Sequence, residues 1–313
     1  MASQGYSPAL GAGAARQLSN TTKTPPQWVG ITPRWLVSLL PWTPVESGTF
    51  RVNRALAEKT REDVACSPED GEPLARTYVD YDPNPREYTL NSVSTVLDVQ
   101  TRVSDLYRSP FDQVKEQLRI LIEVVKEKQE DELINNDDYG LLKSVAPSMR
   151  VTPRKGAPTP DDLDELISRV WKEPAFFLAH PRAIAAFGRE CTRRGVPPAT
   201  VSLFGSPFIT WRGLPIIPCD KLHVTGGGPD DASGGKSDIL LLRTGERKQG
   251  VVGLFQPGLP GEVSPSLSVR FMGIREDAVA SYLISLYCSA AVLTEDALGS
   301  LNGVEVGHYN DDK

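Results

Sequence analysis

Six prolines and three tryptophans (Trp28, Trp35 and Trp42) crowd the first 48 residues of this 313-residue chain, beside only four charged residues, Arg16, Lys23, Arg34 and Glu46. Proline fixes φ and lacks an amide hydrogen, so this stretch cannot build long helices or central strands. It has too little local structure to bury three indoles by itself. The segment is therefore an arm that lies over its own domain or on another subunit, since exposed indoles mark contact surfaces. One short helix fits, with Thr32 as N-cap, Pro33 at the first helical position and Pro41 at its end.

Downstream the pattern changes to a β excursion. Thr49–Asn53 reads as an outgoing strand, Glu58–Arg76 as polar loop, and Thr77–Tyr81 and Glu87–Val99 as returning strands rich in Thr, Val, Tyr and Leu. A two-stranded ribbon of this length is marginal alone and needs a partner surface. A long helix follows from the capped start Ser109-Pro110-Phe111-Asp112, with apolar residues at 111, 114, 118, 121, 122 and 125, extended by Leu133. Its Lys115, Glu116, Arg119, Glu123, Lys126, Glu127 and Lys128 read as a solvated outer face.

Thr159-Pro160-Asp161-Asp162 starts a second capped helix, Ala175–Ala179 reads as a buried strand, and His180-Pro181 opens a helix ending at Gly195. The remainder turns to β, with strands expected at Phe208–Arg212, Pro215–Pro218, Asp238–Arg243, Val251–Phe255 and Ser268–Ile274. Thr244–Arg247 reads as a hairpin turn, Tyr282–Val292 is ambiguous between strand and helix, and Thr294–Leu298 reads as a short final helix.

Tests for chemistry return little. Gly235-Lys236-Ser237 matches the end of a phosphate-binding loop, but Asp230 stands where its leading glycine belongs, and a strand rather than a helix is expected next. His180, His223 and His308 have no metal-ligand spacing, so His180 reads as a helix cap. Cys219 and His223 are a conceivable nucleophile and base, although neighbours in a strand need not meet. Asp161, Asp162, Asp164 and Glu165 suit the positive end of a helix without catalysis.

A net charge of −6 makes nucleic acid an unlooked-for partner. No apolar run reaches the ~20 residues of a membrane span. Cys66, Cys191, Cys219 and Cys288 are too scattered for a zinc motif or a disulfide framework, which fits a reducing cytoplasm.

Several segments resemble the family 2A encapsulin shell proteins, a family with mycobacterial members of the major membrane protein I type and cyanobacterial members induced by sulfur starvation. They are Ala14–Leu18, Ile31-Thr32-Pro33-Arg34-Trp35-Leu36, Tyr78-Val79-Asp80-Tyr81, Trp171-Lys172-Glu173-Pro174-Ala175-Phe176-Phe177-Leu178, Phe208-Ile209-Thr210-Trp211-Arg212-Gly213 and Gly250–Gly258.

The resemblance implies an α+β, HK97 phage capsid-like fold. Residues 1–48 would be the extended N-terminal arm, 49–100 the E-loop and return strand, and 101–159 the P-domain with its spine helix. Residues 160–265 would form the A-domain, and 266–313 the return to the P-domain and the C-terminus. It further implies a homo-oligomeric icosahedral shell of about sixty copies in the cytoplasm. Trp28, Trp35 and Trp42 would be intersubunit arm contacts, and Ser202, Leu203, Phe204, Gly205 and Ser206 would lie at the fivefold pore.

The shell itself would hold no cofactor and have no active site. Its expected cargo is a cysteine desulfurase carrying pyridoxal phosphate, bound through the cargo's disordered N-terminal segment, in sulfur metabolism or storage. Relatives with a cyclic-nucleotide-binding insertion form another branch, for which this chain has no room. The rival reading is a small soluble enzyme with an active site around Cys219.

Overall fold

The computed structural model describes residues 30–53, 55–56, 76, 78–100, 113–227, 234–276 and 279–307. Trp28, Cys66, the capped start at Ser109–Asp112, the middle of the glycine-rich loop and His308 lie outside the described residues.

In chain order, a short helix α1 (Trp35–Leu39) precedes strands β1 (Trp42–Pro44), β2 (Thr49–Val52), β3 (Ala55–Leu56), β4 (Asp80–Tyr81), β5 (Arg86–Thr89) and β6 (Asn91–Gln100). Then come the long helix α2 (Gln113–Asn135), α3 (Leu141–Ser144), β7 (Arg150–Val151), α4 (Pro160–Arg169), β8 (Phe176–Ala179) and α5 (Pro181–Arg193). The rest is β9 (Ala199–Leu203), β10 (Ser206–Trp211), β11 (Leu214–Pro218), β12 (Lys236–Leu242), β13 (Val251–Phe255), β14 (Glu262–Ser264), β15 (Leu267–Ile274), β16 (Val279–Val292) and β17 (Leu298–Glu305).

Two sheets carry the architecture. A six-stranded sheet runs β1-β13-β16-β15-β14, with β6 also paired to β16. Helix α2 covers one face of it, packing Leu118, Leu121, Ile122 and Val125 on Val93, Leu97, Ile284 and Leu286. This is the apolar stripe expected from the 3.6-residue period. The seven-stranded sheet runs β7-β17-β12-β8-β11-β10-β9, and α4 and α5 bury Leu163, Leu166, Ala183 and Phe187 in its core.

Helix α4 has the expected capping box: Asp162 N–H bonds the Thr159 hydroxyl, and the Asp162 carboxylate accepts from Thr159 N–H. His180 caps α5, its Nδ1 accepting from Arg182 N–H. The remaining acids near the start of α4 are all paired: Asp161 with Arg194, Asp164 with Arg212 and the Trp211 indole, and Glu165 with Arg154 and Arg169.

The structure corrects several expectations. Thr32 does not cap α1; Arg34 occupies that position with φ 48°, and the Thr32 hydroxyl is used elsewhere. Thr77–Tyr81 shortens to the two-residue β4, and the return strand breaks at Leu90 into β5 and β6. Thr244–Arg247 is no hairpin turn, because β12 and β13 belong to different sheets and the chain crosses between them there.

Thr294–Leu298 forms one 3-10 turn, Glu295–Ala297, and then enters the unforeseen strand β17. Neither sheet is built from one continuous stretch of chain. Strands β13 and β14, within 160–265, join the six-stranded sheet, while β17, within 266–313, pairs with β12 in the other.

Candidate functional site

The arm meets the body of the protein along α2. Glu123, Glu127 and Glu130 stand at i, i+4 and i+7, which places them on one face of the helix. Residues 32–36 of the arm occupy that face. Thr32 donates both its amide and its hydroxyl to the Glu127 carboxylate, each at 2.9 Å. Arg34 reaches Glu123 at 2.7 Å and Glu127 at 3.2 Å. The Leu36 amide donates to Glu130 Oε1 at 3.0 Å. Helix α1 has no capping side chain of its own, so a carboxylate 94 residues away supplies the missing acceptor at its start.

Glu123 and Glu127 are thus not the solvated face that periodicity suggested; they seat the arm. A third element closes the seat, because Lys221 after β11 bridges Glu127 at 3.0 Å and Asp220 at 2.9 Å.

Burial sets the electrostatics. Glu130 is 2% exposed, and desolvation pushes its carboxyl up to about 7 despite the Leu36 amide and Lys221, with Glu127 adding repulsion. Desolvation also works on Glu123, but the Arg34 guanidinium and Lys126 outweigh it and hold the carboxyl below its usual range.

The Cys219 thiol shares this pocket, its sulfur and the carboxylate oxygens of Glu130 and Asp220 lying within 4.8 Å of one another. Burial first, then Glu130, pushes the thiol up to about 12, so it is not a nucleophile at neutral pH. His223 does not pair with it; its Nε2 faces Asp131 at 3.5 Å and Asn135 at 3.4 Å. Cys191 and Cys288 are likewise buried, their thiols pushed up to about 11 and about 12.

Apolar contacts complete the seat. Leu36 and Leu40 are buried in the main core, each stabilising the docked arm by about 2 kcal/mol. Trp35 packs edge-on against Phe208 at 5.4 Å and lies tilted over Phe204 at 5.5 Å. Trp42 donates its indole N–H to Val37 O at 2.9 Å and packs against the cores of both sheets. Its β1 runs parallel to β13, with Trp42 opposite Gly253. A Cβ at Gly253 would stand 2.6 Å from the indole ring, so only glycine lets it lie flat there. The expected intersubunit contacts Trp35 and Trp42 are therefore already packed on their own chain.

Ser202–Ser206 is the tip of the β9–β10 hairpin, with Leu203 paired to Ser206. Its two turn residues have positive φ, 53° at Phe204 and 77° at Gly205, as a two-residue hairpin requires. Phe204 is 66% exposed even though it touches Trp35.

Among the described residues, the ribbon is anchored to the body at its β2–β5 end. Tyr88 donates its hydroxyl to Val292 O and accepts from Val292 N–H, while Phe50 and Val52 pack on the cluster of Val252 and Leu254. At the other end Tyr78, Val79 and Tyr81 are uncovered, at 83%, 50% and 65% exposure.

A seated arm, a projecting ribbon with bare apolar residues, a long helix backing one sheet and a second sheet beside it define the subunit of an HK97-type capsid. The capsid of an empty GTA particle matches this fold with a TM-score of 0.63 over 95% of this chain and all of that one, at 13% identity. Residues 51–308 match the family described as type 2A encapsulin shell protein, SrpI-like.

The SrpI shell protein of Synechococcus elongatus is 64% identical over 95% of this chain and 94% of its own length. A shell protein of Mycolicibacterium paratuberculosis is 58% identical over 99% of both chains. The cryo-EM structure of the holo-SrpI encapsulin complex from S. elongatus superposes with a TM-score of 0.83 at 61% identity, covering 97% of this chain and 99% of that one. The chain belongs to the type 2A encapsulin shell proteins, and it is a structural shell subunit rather than an enzyme built around Cys219.

Proposed function

We propose that copies of this chain close into an icosahedral shell of about sixty subunits in the cytoplasm, around a cysteine desulfurase. The observation that carries the reading is the 64% identity to the S. elongatus shell protein across nearly the whole chain, together with the holo complex solved for that relative. The uncovered Tyr78, Val79 and Tyr81 suit contact with another copy.

The chemistry belongs to the cargo. Its pyridoxal phosphate supports release of sulfur from cysteine, and the shell confines that enzyme, held through the cargo's disordered N-terminal segment. The exposed turn Ser202–Ser206 is the candidate lining of the fivefold pore, supported by the exposure of Phe204 at the hairpin tip.

Co-expression with a desulfurase that carries such a segment tests the cargo reading. Pyridoxal absorbance should travel with the particle peak, and removing the segment should return the enzyme to the small-protein fraction. A full-length desulfurase that never enters the particle peak would overturn the assignment.

A further inference from the structure

We propose that residues 32–40 form a proton-linked latch, in which seating the arm on α2 takes up a proton at the Glu130 carboxyl and the arm is held more tightly in mildly acidic than in alkaline solution. The inference rests on the arm seat alone and does not depend on the cargo.

The geometry carries it. Four carboxylates converge on one seat: Glu123, Glu127 and Glu130 from α2 and Asp220 from the segment after β11. The facing cations are Arg34 from the arm, Lys221 from that same segment and Lys126 beside Glu123. Their short contacts go to Glu123, Glu127 and Asp220.

Glu130 is therefore the acid whose direct partners are uncharged amides, those of Leu36 and Val37, on the arm itself. Around it stand Glu127, the Cys219 thiol and Asp220, with Lys221 acting at longer range. A carboxylate 2% exposed beside other acids is costly to keep charged. Docking the arm is what completes that burial, because Leu36 lies over the carboxyl and is itself 0% exposed.

The sign follows from linkage. Glu130 titrates at about 7 when the arm is seated, against 4.5 for a solvated glutamate. Between those values the docked state holds a proton that the undocked state has released. Docking therefore strengthens as the pH falls from about 7 toward 4.5 and is weakest above 7. Between pH 8.5 and pH 6 the docking constant should rise about tenfold.

Hydrogen–deuterium exchange on the full-length protein tests this, reading the protection factor of the peptide spanning residues 34–40, corrected for the intrinsic pH dependence of exchange. Protection should rise about tenfold from pH 8.5 to pH 6 in the wild type. It should stay flat in Glu130→Gln, which keeps an acceptor for the Leu36 amide but cannot titrate there. Glu127→Gln should weaken docking at every pH and keep most of the slope, since burial is the main cause of the raised Glu130 carboxyl and Glu127 repulsion a smaller one.

A wild-type protection factor that does not change with pH overturns the proposal, as does an equal slope in Glu130→Gln. Should Glu130→Gln not fold, the wild-type slope and its persistence in Glu127→Gln decide the matter, and loss of the slope in Glu127→Gln counts against Glu130.

Discussion

Glu127 gathers four interactions on one carboxylate: the Thr32 amide and hydroxyl, the Arg34 guanidinium and the Lys221 ammonium. Replacing it by alanine leaves the Thr32 amide and hydroxyl without their acceptor and takes one of two carboxylate partners from Arg34 and from Lys221, in a seat that is mostly dry. Glu127→Ala should loosen residues 32–40 by about 2–4 kcal/mol, measured by native-state hydrogen exchange. Wild-type protection in that variant would show that the seat contributes nothing.

The thiols give a second test. Since Cys191, Cys219 and Cys288 are buried with raised pKa values, iodoacetamide at pH 8 should leave all three unmodified in the native protein and label them after denaturation. Rapid native labelling of Cys219 would reopen the enzyme reading. The seat was hidden in the sequence for a definite reason. Helical period shows that Glu123, Glu127 and Glu130 share a face, but charge alone does not distinguish water from a distant arm as the neighbour. The usable signal was Arg34, a rare cation in a segment with four charges.

Elements with capping chemistry or strong apolar bias were readable: α4 and α5 start where their caps stand, and β8 and β13 fall where apolar runs were found. Strand β16 was ambiguous because its last five residues, Cys288–Val292, are buried throughout and show no alternation. Strand β17 was missed because Leu298-Gly299-Ser300-Leu301-Asn302-Gly303 is poor in β-formers, and its place is fixed by pairing with β12.

The parallel pairing of β1 with β13 was equally invisible, since it depends on one flat contact between Trp42 and Gly253. Gly253→Ala forces a methyl group against the indole and should cost about 1–3 kcal/mol, seen as a lower melting temperature with faster exchange in β1. An unchanged melting temperature would mean that the indole can move aside freely.

The fold of the whole chain depends on three crossings between the sheets, from β6 to β7, from β12 to β13 and from β16 to β17, and the last two meet. Arg243, buried at one crossing, reaches across to the other and holds Thr294 and Asp296, each at 2.7 Å. Although partial burial opposes it, Arg243 together with Lys172 and Thr294 holds the Asp296 carboxyl far below its usual range. Its stabilising contribution is therefore complete above pH 3.8, the ordinary value, and is lost as the pH falls below it. Asp296→Asn should lower the melting temperature at neutral pH and flatten the acid limb of the stability profile; an unaltered acid limb would remove Asp296 from this role.

These crossings explain why strands were located while the hairpin read at Thr244–Arg247 failed, because local residue patterns carry no information on which strands finally pair. For the arm, deletion of residues 1–48 removes Leu36, Leu40 and Trp42 from the core and should prevent particle closure. Size-exclusion chromatography with negative-stain microscopy of the purified full-length protein decides whether this chain is a shell subunit. Uniform hollow particles eluting far above the 34.2 kDa subunit are the predicted result. A dimer or tetramer under every salt and pH condition would contradict it.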